Sequence, residues 1–397
     1  MNSVLDLKAA GGDPLERVAS VESVLSAAAA RIDENCGLTD DVVEVMHDAR
    51  IFRMLLPPAL GGDALDLKTH AQVIEAIARI DGSAGWCASQ GAGCAMASAF
   101  MDPAAAQRMF GQRDSVLAWG AGIQGKAVLV DGGYLVSGKW QFASGSRHAT
   151  ILGGHSWVFE ADGETPRRHA DGRRMDRTAL VTKDKAHVHF NWDTMGLRGT
   201  GSDTFEFHEL FVPEEDTVDR ADQSALTDPS PIYKIPSSLV YAVGFAGLQI
   251  GIAQAVLDEL ADLAINKVPR GGASVLKDNP VFQTQLAQQH GRLRAARAYL
   301  HFTADEAYAE ARNTGVLSME GKINIRLAGT HVINEAVAVT TEGYRMAGAT
   351  AIFPENPFER RLRDALSASQ QVQARIDHYT TVGRHLLGHE PDSTMFI

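Results

Sequence analysis

The chain has 397 residues, 45% of them apolar, which gives room for two or three domains and a sizeable core. Its 37 Lys and Arg stand against 49 Asp and Glu, and the net charge of -12 argues against a nucleic-acid or anionic-membrane partner. Three cysteines (Cys36, Cys87 and Cys94) with no CxxC pair argue against a disulfide framework and a zinc site, and point to a reducing, cytoplasmic compartment.

The opening "MNSVLDLKAAGGDPLERVAS" lacks a basic region followed by an apolar one, so no secretory leader is expected. From about residue 16 to 112 apolar residues recur at helical spacing, as in "DDVVEVMHDARIFRMLL" and "THAQVIEAIARIDGSAGWCASQGAGCAMASAF". The Pro and Gly of "PPALGGD", residues 57–63, punctuate these helices. Cys87 and Cys94, seven apart in a small-residue helix, read as buried structural thiols.

Between about 114 and 218 the grammar changes to short strands with glycine turns. "KAVLVDGGYLVSGKWQFASG" predicts a hairpin joined at "DGG", continued by "TALVTKD", "AHVHFNW" and "TFEFHELFVPE". The polar stretch 160–177, rich in Arg and Gly, reads as a long exposed hairpin loop. After "DPSPIYKIPSS" the helical period returns around 235–266, 279–313, 318–349 and 358–387, and "GHEPDSTMFI" reads as an irregular end. The most apolar stretch, "SSLVYAVGFAGLQIGIAQAVLDELADLA", is interrupted by Gly, Gln and acidic residues, so no membrane span is expected.

The expected fold is α+β, mainly α. It has an N-terminal helical domain over 1–113, an antiparallel β-sandwich or barrel domain over 114–220, and a C-terminal helical bundle over 221–397. There is no internal repeat and no βαβ alternation, which removes Rossmann and barrel α/β architectures. GxGxxG after a strand, a P-loop, HExxH and GxSxG are all absent, and no metal site is expected. "GAGIQG" at 120–125 leads into a strand rather than a helix, so it does not read as a phosphate cradle.

Other stretches carry a family likeness: "FRMLLPPALGG", "EAIARIDGSAGW", "GGYLVSGKWQFASGS", "MGLRGTGSDTFEFHELFVPE" and "RLRDA". In this order and spacing the chain resembles the acyl-CoA dehydrogenase superfamily over almost its whole length. Within it, "DGSAGW", "GKWQFASG" and "LRGTGS" are more similar to the flavin-dependent monooxygenase branch. The resemblance implies an acyl-CoA dehydrogenase-like fold and a homotetramer. It also implies reduced FMN or FAD delivered by diffusion from a separate flavin reductase, with O2 as co-substrate. The implied chemistry is hydroxylation of an aromatic or heteroaromatic, indole-like small molecule by a flavin C4a-hydroperoxide that must be shielded from water.

The resemblance also assigns residues. Ser144 in "FASGS" matches a serine that reaches the flavin's reactive edge in relatives, although by itself it reads as a turn residue before Gly145. Trp140 either covers the ring or packs, and Phe142 on the same strand is expected among the cofactor-binding residues. Thr200, Gly201 and Ser202 either contact flavin or form a plain bend. Arg270 and Gln283 match positions that hold the flavin's phosphate or dinucleotide tail, sometimes across a subunit boundary, with a surface arginine as the plain alternative. Arg363 completes the cofactor set, and Trp86, Trp119, His148 and Gln371 are expected to wall the substrate pocket.

In relatives of this branch the last helix carries Arg-Asp, then six residues, then a histidine that supports the chemistry. Here Arg363 and Asp364 are followed through "ALSASQ" by Gln371, which hydrogen-bonds but does not move a proton near neutral pH. Read as one amphipathic helix over 361–379, Asp364, Gln371 and His378 share a face at steps of about 10 Å, and His378 reads as a helix-surface histidine. His148, His155 and His331 are the other histidines considered for the pocket. Phenol-oxidising relatives also keep a histidine where this chain has Trp119, so an electron-rich substrate needing no base is expected: an indole, a heteroaromatic sulfur compound or an amine, with N- or S-oxygenation as variants. The alternatives are an acyl-CoA dehydrogenase-type oxidoreductase, for which Glu355 and Glu359 are poorly placed as a base, and a non-catalytic flavin-binding relative.

Overall fold

The computed structural model describes residues 12–220, 222–393 and 396–397, so most of the segment read as free of a leader lies outside the described residues. Five helices come first: α1 (Pro14–Asn35), α2 (Asp40–Asp48), α3 (Leu67–Ile80), α4 (Gly82–Ala95) and α5 (Pro103–Phe110). Asp13 caps α1 by accepting the Leu15 N–H, with Pro14 at the first position where no N–H is needed. Asp81 closes α3 and opens α4, its carboxylate accepting the Ala84 N–H at 2.9 Å. The glycines, serines and alanines of α4 let its neighbours approach closely, and nearly all of it is buried.

Eight strands follow: β1 (Leu117–Trp119), β2 (Gly125–Val130), β3 (Gly133–Ala143), β4 (Ile151–Phe159), β5 (Asp176–Thr182), β6 (His187–His189), β7 (Asp203–Pro213) and β8 (Thr217–Val218). They form one sheet in the order β6-β7-β3-β2-β4-β5-β8, with β1 beside β4. The predicted hairpin is present: Val130 pairs with Gly133 across Asp131-Gly132, and Gly132 takes the positive φ (75°) that suits glycine. The sheet departs from the expected antiparallel pattern because β4 runs parallel to both β1 and β2. After β3 the chain turns through residues 144–150 and returns on the far side of β2, which fixes that direction.

Trp140 resolves to packing, not to a cofactor face. Its ring is fully buried in the β-domain core, stacks 5.2 Å from Phe205, and its Nε1–H donates to His155 O at 2.8 Å. A Cβ at Gly138 or Gly154 would come within 2.7 Å of this ring, so a glycine on its own strand β3 and another on β4 make its room.

The C-terminal helices are α6 (Ser237–Asn266), α7 (Pro280–Thr314), α8 (Met319–Ala347), α9 (Phe358–Ala368) and α10 (His378–Leu386). One apolar core runs without interruption from α1–α5 into α6–α9, while the β-domain keeps its own. Among the described residues α6 alone is long and apolar enough to cross a membrane, and 94% of its most apolar stretch is buried inside the protein.

The single helix expected over 361–379 is broken. α9 stops at Ala368, Gln371 is extended (φ -75°, ψ 162°), and α10 starts only at His378. Gln371 Oε1 accepts the Gln373 N–H at 2.7 Å, a local bond that competes with the helical ladder. α8 then holds the freed backbone: Thr330 and Asn334 donate to Gln373 O and Ala374 O, and the buried Arg326 donates to Gln373 Oε1 at 2.6 Å. His378 is therefore buried, with a ring nitrogen 2.7 Å from Val372 O, and is not on a free helix surface.

Candidate active site

A relay of hydrogen bonds crosses the seam between the β-domain and the helices. Trp86 Nε1 lies 2.9 Å from Ser144 Oγ, Ser144 Oγ 2.7 Å from Ser202 Oγ, and Ser202 Oγ 2.7 Å from Thr200 Oγ1. Thr200 Oγ1 donates to Leu197 O at 2.9 Å. The two ends fix every direction between them, since an indole N–H only donates and a carbonyl only accepts. Trp86 donates to Ser144, Ser144 to Ser202, and Ser202 to Thr200. The Ser144 proton is thus committed, and its oxygen keeps one lone pair free to accept.

The turns that carry these hydroxyls are laced together. Gly145 N–H donates to Thr200 O at 2.8 Å and Ser146 Oγ to Gly201 O at 2.9 Å. Gly201 has φ 50°, and a Cβ there would press on the Arg147 side chain, so glycine shapes this bend. The Gly201 N–H faces Arg198 O within the bend.

Leu197 connects the relay to α9. Its N–H donates to Asp364 Oδ1 at 2.6 Å, and its carbonyl also accepts Trp192 Nε1–H at 3.0 Å. Asp364 is buried, and its carboxyl is pushed up to about 7, first by burial and then by the charge of Asp81, against the pull of the Leu197 N–H. Arg363, expected on the cofactor, is committed elsewhere: it forks onto Glu359 at 2.6 and 3.1 Å and donates to Met195 O at 2.6 Å.

An aromatic row lines the helical side. Trp86 stacks on Phe245 at 4.3 Å, and Phe245 on Tyr241 at 5.8 Å. Tyr241 Oη and Gln90 Nε2 both donate to Cys94 Sγ, at 3.5 and 3.6 Å. Burial pushes the Cys94 thiol up to about 12 and that of Cys87 higher still, so neither is a nucleophile. Trp119 leaves β1 towards these helices and lies 4.9 Å from the His155 ring. Tyr241 and Phe245 escaped the sequence reading because α6 is apolar on every face; their spacing of four was the available signal.

Two of the residues expected to wall the pocket carry a buried atom without a partner. Gln371 Nε2 has none, although Oε1 is used. His148 sets its ring 5.2 Å from Phe52, burial lowers its pKa to about 3, and its Nε2 has no partner. Phe142, at φ 61°, is 57% exposed and meets Trp192 edge-on at 6.1 Å. Arg270 and Gln283 are exposed around the turn from α6 to α7, where Gln283 Nε2 donates to Lys277 O; within one chain they do not join the relay.

A flavin is a fair match for this donor set. The free lone pair on Ser144 suits the protonated N5 of a reduced isoalloxazine rather than the bare N5 of an oxidised one. The unpartnered Gln371 amide, an unfavourable state of about 1–3 kcal/mol when buried, also calls for a ligand.

Residues 17–111 match the acyl-CoA dehydrogenase N-terminal domain family and residues 243–375 the C-terminal domain family, together more than half of the chain. The sequence is 29% identical to indole-3-acetate monooxygenase of Acinetobacter baumannii over 346 residues, which covers 87% of this chain and 86% of that protein. It is 27% identical to the flavin-dependent monooxygenase oxygenase subunit HsaA of Mycobacterium tuberculosis, over 90% of this chain and 91% of that one. The crystal structure of that HsaA superposes with a TM-score of 0.87 at 23% identity, covering 96% of this chain and 99% of the other. XiaF from Streptomyces, solved with FADH2 and glycerol, also gives 0.87 at 21% identity over 96% of both chains.

Proposed function

The chain belongs to the acyl-CoA dehydrogenase family, and from that premise we propose that it is the oxygenase component of a two-component flavin-dependent monooxygenase that hydroxylates an aromatic or heteroaromatic, indole-like small molecule. The observation that carries this reading is the fixed direction of the Trp86–Ser144–Ser202–Thr200 relay, which leaves at Ser144 an acceptor suited to reduced flavin. The names of the relatives support it: indole-3-acetate monooxygenase and a flavin-dependent oxygenase subunit.

Reduced FMN or FAD, supplied by a separate reductase, brings the electrons that activate O2. The protein's own residues do the rest. Ser144 holds the flavin edge, and Thr200 and Ser202 hold Ser144. Trp86, Phe245 and Tyr241 form an apolar wall that keeps water out and lies flat against an aromatic substrate. Gln371 offers its free amide N–H to substrate or flavin and moves no proton. Asp364 acts at one remove, positioning Leu197.

The dehydrogenase alternative needs a free carboxylate base at the seam. Glu359 is held by Arg363 and Asp364 by the Leu197 N–H, so neither fits that task. Arg270 and Gln283, exposed at the α6–α7 turn, suit the flavin tail of a neighbouring copy, in keeping with a homotetramer in the cytoplasm. Incubating the protein in air with chemically reduced FMN or FAD and an indole tests the reading: a hydroxylated product supports it, and peroxide with unchanged indole counts against it.

A further inference from the structure

Arg220 follows β8 and sits over Trp119, its guanidinium carbon 4.6 Å from the ring centroid. Leu117 and Trp119 belong to the helical core while Ala118 belongs to the β-domain core, so Trp119 and the cation on it lie on the substrate side of the sheet. The charge of Arg220 is felt by Cys94, Tyr241 and His155, which places it beside the end of the Trp86–Phe245–Tyr241 row.

Among the described residues Arg220 forms no ion pair. Its neighbour Asp219 faces Arg177 at 3.1 Å and His169 at 3.9 Å. Asp176, which feels the same cation, is pushed up by burial and by Asp219. His155 is neutral at physiological pH, lowered by burial, with Nδ1 2.6 Å from Thr178 Oγ1. Among the described residues this half-buried guanidinium rests on the Trp119 face alone, which leaves its planar fork of N–H donors for a planar anion.

We infer that Arg220 anchors a carboxylate on the substrate, so that the enzyme takes aromatic or heteroaromatic acids with a short acidic side chain, the ring lying along Trp86, Phe245 and Tyr241 and the acid group on the guanidinium. This rests on the monooxygenase reading of the same pocket. Trp119 holds the guanidinium plane and so replaces a proton-handling group with a charge-positioning one.

The test compares indole-3-acetate with indole in two assays: binding without turnover, by quenching of tryptophan fluorescence, and oxygenation with reduced flavin. The wild-type protein should prefer the acid by about 10–100-fold in both, the worth of a charge-assisted bidentate bond. Arg220→Gln should bring the ratio close to one, mainly through Kd and KM, and Arg220→Lys should keep part of it. An unchanged ratio in Arg220→Gln, or no wild-type preference for the acid, overturns the anchor. Arg220-dependent binding of the acid without any oxygenation supports the anchor and instead contradicts the monooxygenase reading. Unchanged thermal unfolding and reduced-flavin affinity in Arg220→Gln verify that its fold is intact.

Discussion

The indole N–H of Trp86 donates to Ser144 Oγ at 2.9 Å, joining α4 to the turn after β3 across the domain seam. Trp86 holds one end of the relay, and the Thr200 donation to the Leu197 carbonyl at the other end sets which way the hydroxyls between them point.

Trp86→Phe keeps a ring to stack on Phe245 and removes only the donor. The hydroxyls keep their direction, since Thr200 still donates to Leu197 O, but the Ser144 oxygen loses the donor that holds it in place for the flavin. Peroxide formed per product should rise several-fold, with reduced-flavin affinity down by about 3–10-fold, roughly one net hydrogen bond. A peroxide assay beside product quantification checks this; an unchanged ratio contradicts the relay.

Ser144→Ala should lower affinity for reduced flavin more than for oxidised flavin. The selective part should be about tenfold, from about 1.4 kcal/mol of lost acceptor bond. Anaerobic titrations with both redox forms measure it, and equal weakening of the two would show that Ser144 does not distinguish them.

Asp364 sets a pH dependence of stability. Its folded pKa is raised from 3.8 to about 7, so the folded chain binds the proton more tightly than the unfolded chain between those values. The stability it contributes is full below about pH 4 and is lost as pH rises towards 7, then levels off. Asp364→Asn still accepts from Leu197 N–H but carries no charge, so its denaturant midpoint should vary less over pH 4–7 than that of the wild type. Parallel pH slopes for the two proteins would contradict this.

Gln371→Glu separates the two halves of that amide. The carboxylate keeps the acceptor for Gln373 N–H, so thermal unfolding should shift little, while the lost donor should weaken flavin or substrate binding by about tenfold. Weak folding with intact binding would mean that Gln371 serves only the break between α9 and α10.

The helix order, the Asp131-Gly132 hairpin and the small-residue α4 were legible because each is written in local spacing or turn chemistry. The parallel neighbours of β4 were not, since nothing local to residues 151–159 says on which side of β2 they enter. The break at Ser369–Gln371 was hidden because apolar spacing continues across it, while the side chains that capture the backbone, Arg326, Thr330 and Asn334, lie about 40 residues upstream. Ser144, Thr200 and Ser202 could be named from the resemblance, but the direction of their hydrogen bonds depends on the Leu197 carbonyl and on a Ser144–Ser202 contact between residues 58 apart. Trp140 looked available on its strand because two of the glycines that make room for its ring, Gly125 and Gly154, lie on β2 and β4.

The most direct measurement is the mass of the product formed under 18O2 from an indole substrate and chemically reduced flavin, with no reductase present. The account predicts a product two mass units heavier than under ordinary O2, with yield falling in Ser144→Ala. Reduced flavin consumed entirely to peroxide, or a product carrying oxygen from water, would contradict it.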